Sequence, residues 1–69
     1  MIPEYLNPDK SLEERINIID ELITGTKEQL KRYPEIAFPK KHKRLRAKLH
    51  SYELTRGKLK EALAEQVIK

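Results

Sequence analysis

Thr24-Gly25-Thr26 sits in the middle of the first patterned segment of the chain, and the fold turns on how it is read. Three poor helix formers in a row offer a place where one helix stops at Gly25 and another starts, with Thr26 and Gln29 as its cap. The apolar residues on either side favour continuation. Leu12, Ile16, Ile19, Ile23, Leu30 and Tyr33 recur at alternating spacings of four and three, and Thr26 holds the one remaining place. Because this phase carries through the gap, one bent helix to about Tyr33 is favoured. A break at Gly25 would instead allow a three-helix monomer.

Upstream, Ser11-Leu12-Glu13-Glu14 has the form of a capping box, and its two acids suit the positive end of a helix. Asn7-Pro8 is a rival start one turn earlier. Residues 1–10 hold two prolines and an isolated Ile2, Tyr5 and Leu6, so they read as an extended arm lying over the core. Downstream, Pro34 ends the helix, and Tyr33-Pro34-Glu35-Ile36-Ala37-Phe38-Pro39 is a short connection with Ile36 and Phe38 available to plug the bundle end. The seam then resumes at Leu45, Leu49, Tyr52, Leu59, Leu63 and Val67, with Arg56 in its one polar place.

The expected fold is therefore all-α, an antiparallel two-helix hairpin with helices near residues 11–33 and 40–68 within a unit spanning 11–69. Laid antiparallel, the seams match layer by layer: Leu30 on Leu45, Thr26 on Leu49, Ile23 on Tyr52, Ile16 on Leu59 and Leu12 on Leu63. Arg56 falls near Ile19 and would bury its stem while seeking Asp20 or Glu53. Gly57 beside it loosens the helix or lets a partner helix approach closely. A hairpin cannot cover its own core, and Ile18, Leu22, Leu54, Ala62 and Ile68 lie beyond the seam. The simplest cover is a second copy, which makes a homodimeric four-helix bundle with these five residues at the interface.

The 69 residues include no Cys or Trp and only two His, so neither a disulfide nor a four-ligand zinc site is expected, and no cofactor is expected either. Apolar and charged residues each make up 38% of the chain, too polar a balance for a membrane protein and too apolar for a disordered tail. No basic and apolar leader is legible at the N-terminus, and a cytoplasmic location is expected.

Charge is sorted along the chain. Net charge is −4 over residues 1–26, +7 over 27–56 and +1 over 57–69. In a hairpin this gives an acidic open end and a basic loop end. Lys40, Lys41, Lys43, Arg44, Arg46 and Lys48 place six cations in nine residues, wrapped around the start of the second helix. That wrap suits a phosphate backbone, although it would also serve as a solvated helix end that aids solubility. The placement opposes the helix dipole at Lys40, Lys41 and Lys43, where stability alone would prefer acids.

Tyr33 and Tyr52 read first as seam residues with their hydroxyls at the rim, and with His42 and His50 they are also candidates to stack on bases. The two histidines are eight apart, too far for a shared metal, and read as surface residues. Catalysis is not expected: no Ser/His/Asp grouping or phosphate loop occurs, and Glu13, Glu14, Asp20 and Glu21 fall on the outer face. Ser51-Tyr52-Glu53-Leu54-Thr55 is similar to the Ser-x-Glu-Leu-Asp signature of small helical-hairpin phosphatases acting on phosphorylated sporulation regulators. Thr55 replaces the aspartate, the likeness covers five residues, and the basic loop is foreign to that family, so no role is carried over. Two functions remain: a nucleic-acid-binding accessory or regulatory factor using the basic end, or an interaction module that binds and modulates another protein.

Overall fold

The computed structural model describes residues 2–68, with side chains through Gln66. A single 3-10 turn, Glu4–Leu6, precedes two helices, α1 (Leu12–Arg32) and α2 (Pro39–Ile68), and no strand occurs among the described residues. At α1, Ser11 has extended backbone and its hydroxyl accepts from the Glu14 N–H at 3.2 Å, with Glu13 and Glu14 in the first turn and Lys31 and Arg32 in the last. Both ends thus complement the helix dipole. The Tyr33 N–H donates to the Gln29 carbonyl at 2.9 Å, and Pro34 has no N–H with which to continue.

Helix α1 runs through Thr24-Gly25-Thr26 without a break, so the three-helix alternative is not adopted. Thr26 is buried, and its hydroxyl donates to the Leu22 carbonyl at 2.7 Å, which satisfies the one polar atom that the seam would otherwise strand. No glycine has positive φ, and a Cβ at Gly25 or Gly57 would meet nothing within 4 Å. Gly25→Ala and Gly57→Ala should therefore each raise stability by about 0.5–1 kcal/mol in urea denaturation. A loss at Gly57 instead would reveal a partner helix packed closely there.

The helices pack antiparallel on the expected register. Ile16, Ile19, Ile23 and Leu59 form the buried cluster, with Leu12, Leu49, Tyr52 and Leu63 against it. Leu45 is buried nearer the loop. Beside this cluster the Arg56 guanidinium donates to the Asp20 carboxylate, both half-exposed, which fixes the axial register and takes Asp20 off the purely outer face. The molecule measures 49 × 25 × 14 Å, about one helix thick in its smallest dimension. Among the described residues only Ile19 is fully enclosed, because a single layer of facing side chains leaves the others of the seam with an open edge.

One edge is closed by the N-terminal arm. The Arg15 Nε–H donates to the Tyr5 carbonyl at 2.9 Å, and the Tyr5 ring meets Tyr52 edge-on at 5.8 Å between centroids. Asn7 holds the return turn, its side-chain oxygen accepting from the Asp9 N–H at 3.0 Å. The surface pair Lys10–Glu4 adds little. Tyr5→Ala should cost roughly 1–2 kcal/mol and expose Ile18 and Leu22, read as a lower unfolding midpoint. A midpoint unchanged from the parent would mean that the arm does not hold its place in solution.

Candidate nucleic-acid interface

The basic end is built on a stiff turn. Pro34 and Pro39 flank it, and the Phe38 N–H donates to the Pro34 carbonyl at 2.8 Å, closing the turn across Glu35, Ile36 and Ala37. The His42 N–H donates to the Phe38 carbonyl at 2.9 Å, so Phe38 occupies the capping position of α2 and Pro39 its first helical place. Phenylalanine has no side-chain acceptor, and no acid lies in the first turn. The start of α2 thus inverts every feature that stabilises the start of α1.

The turn is pinned from beneath. Tyr33 meets Phe38 edge-on at 5.1 Å, the Lys41 ammonium lies 3.9 Å from the centre of the Tyr33 ring, and the His42 Nδ1–H donates to the Tyr33 carbonyl at 3.0 Å. Phe38 is thereby half-anchored. Ile36, expected to plug the bundle, is 99% exposed, because the turn that seats Phe38 on Tyr33 carries the neighbouring positions outward.

Lys40, Lys41, Lys43, Arg44, Arg46 and Lys48 are all exposed. Among the described residues the two ion pairs are Lys10–Glu4 and Arg56–Asp20, so none of these six cations is paired with an acid. By helical spacing Arg44 and Lys48 share the Lys41 flank of α2, and Arg46 lies on the other. There it lines a cleft of about 380 Å³ with Leu30, His42, Leu49, His50 and Glu53. A second cleft of about 500 Å³, lined by Glu35, Pro39, His42, Lys43 and Arg46, shares His42 and Arg46 with the first. The two clefts adjoin at His42 and Arg46 on one side of the hairpin. A third cleft, lined by Asp20, Lys27, Glu53 and Arg56, shares Glu53 with the first, and all three clefts carry acids beside their cations.

His42 thus lines both clefts and His50 the first. Their spacing with Arg46, one every four residues, was the available signal, since positions i, i+4 and i+8 share a helix face. Among the described residues no three His, Cys, Asp or Glu side chains gather as a metal site, and no helix is long and apolar enough to cross a membrane.

The residues expected at a dimer interface are Ile18, Leu22, Leu54, Ala62 and Ile68. Ile18 and Leu22 line a cleft of about 370 Å³ with Pro3, Glu4, Tyr5 and Tyr52, under the arm. Ala62 is half-buried, Leu54 is 56% exposed two residues from Tyr52 and so on the opposite side of α2, and the Ile68 side chain lies outside the described residues. No protein-family model, curated protein or solved structure matches this chain.

Proposed function

We propose that this chain is a small non-enzymatic nucleic-acid-binding protein that uses its loop end as a phosphate-binding surface, in an accessory or regulatory role. The observation that carries this reading is the state of the six cations: all are exposed and without acidic partners, and Lys40, Lys41 and Lys43 are placed where they oppose the dipole of α2. Helix α1 of the same chain has the opposite and favourable arrangement at both ends. A phosphate at this end would relieve the mutual repulsion of the cations and meet the first amides of α2, which have no carbonyl partner within the helix. On the flank shared by Lys41, Arg44 and Lys48 the backbone has cations to follow beyond the turn.

Contact to phosphates predicts weak sequence preference and steep salt dependence, with log affinity falling by about 0.9 per neutralised phosphate on duplex DNA and less on single strands. Fluorescence anisotropy against duplex DNA, single strands and structured RNA at low salt tests the reading. No binding at tens of micromolar would overturn it and leave the protein-partner function in front. Binding that survives half-molar salt would also count against it.

A homodimer is proposed as the assembled form, supported by the single-layer core and by exposed Leu54. Leu54→Lys should dissociate it in sedimentation without loss of helix. A wild-type chain that sediments as a monomer at micromolar concentration would exclude it.

A further inference from the structure

Resting on the nucleic-acid reading above, we infer that the turn Ile36-Ala37-Phe38 is an apolar wedge that enters between unstacked bases, so that the preferred ligand is single-stranded or locally distorted nucleic acid rather than intact duplex. Ile36 is 99% exposed and Phe38 44% exposed, with Glu35 as neighbour and with Lys31 and Arg32 before the turn and Lys40 and Lys41 after it. An isolated apolar side chain on a surface needs no explanation; this one stands at the apex of a turn held by the Pro34–Phe38 hydrogen bond and by the Tyr33, Phe38 and Lys41 stack. Rigid presentation is what insertion requires, because a flexible tip would lose its freedom on entering the stack.

Apolar residues inserted between base steps must offset the cost of unstacking, which is least where bases are already unpaired. Cations beside the tip would hold the flanking phosphates while Ile36 and the open edge of Phe38 cover the base faces. A lipid surface is the other apolar and anionic ligand, and the layout disfavours it. From Lys40 to Lys48 the cations extend back along α2 by about 12 Å, which follows a polymer past the tip rather than a plane touching it. One isoleucine and part of a phenylalanine also bury too little to anchor a protein on a bilayer.

The test compares wild type and Ile36→Ser on three oligonucleotides of one sequence: single strand, perfect duplex, and duplex with a one-nucleotide bulge, each carrying 2-aminopurine. Wild type is expected to prefer the single strand and the bulge over duplex by about tenfold and to raise 2-aminopurine emission at the bulge. Ile36→Ser should abolish both effects and keep the salt slope and the helical circular dichroism, since its side chain touches nothing in the fold. Equal affinity for all three, with a normal salt slope, would overturn the wedge alone. Binding to none would overturn the phosphate reading with it. Binding to vesicles of phosphatidylserine and phosphatidylcholine that Ile36→Ser removes, with no preference among the oligonucleotides, would replace the wedge by a membrane contact.

Discussion

Ile19→Ala should bring the folded state close to balance with the unfolded chain at room temperature. Ile19 has 0% exposure and, among the described residues, is the one side chain enclosed on all sides, by the seam of α2 and by Ile16 and Ile23. Removing its three outer carbons forfeits their transfer energy and leaves a cavity that two rigid helices cannot close, a loss of about 3–4 kcal/mol. A single core in a chain of this size supplies roughly 3–5 kcal/mol in total, so little would remain. Leu54→Ala, the same kind of truncation at an exposed position, should cost less than about 0.5 kcal/mol in the monomer. Urea denaturation followed by circular dichroism measures both. A loss below about 1 kcal/mol at Ile19 would mean that the core is elsewhere, and a midpoint that rises with protein concentration would add a subunit interface to the account.

The largest functional effect is expected from Lys41, Arg44 and Lys48 changed together to Ala. These three share one flank of α2 beside the seam, so they can follow one strand of backbone together. If each neutralises one phosphate, the salt slope on duplex DNA should flatten by about 2.7 in log affinity per log salt. Stability should hardly change, because loss of the Lys41 contact with Tyr33 is offset by relief of the dipole and by the helix propensity of alanine. Lys58→Ala with Lys60→Ala, two exposed cations nearer the open end, is the matched control and should leave the slope as it is. An unchanged slope in the triple variant, or an equal change in the control, would move the ligand away from the loop end.

The sequence carried the architecture because helical periodicity is a local signal that two antiparallel seams must satisfy jointly. Leu12 through Tyr33 kept one phase across Thr24-Gly25-Thr26, and α1 is continuous there. The Arg56 partner was narrowed to two acids, and the structure selects Asp20. Side-chain direction at the turn was not legible. Ile36 and Phe38 are equally apolar, and only the closure from Pro34 to Phe38 decides that one is seated on Tyr33 while the other faces solvent. The clefts beside Arg46 are not legible either, since the distance between His42 and His50 excludes a shared metal and says nothing of the face they share with Arg46. Sites of this kind arise from two elements at once, and single-helix spacing gives only half of each.

The pairing of the helices also sets an order of assembly. The contacts at the turn join residues close in sequence, nine apart for His42 and Tyr33, whereas Arg56 and Asp20 are 36 apart. Closing a short loop sacrifices less chain freedom than closing a long one, so each layer laid down from the turn lowers the cost of the next. A hairpin connected in this way folds on the microsecond to millisecond scale typical of helical proteins with local contacts. The Tyr33, Phe38 and Lys41 cluster is placed to form among the first tertiary contacts. The arm, which must bring Tyr5 to Tyr52 across a longer separation than that of Arg56 and Asp20, docks last. Fraying then starts at the open end and the arm, and the charged turn keeps its shape while they breathe.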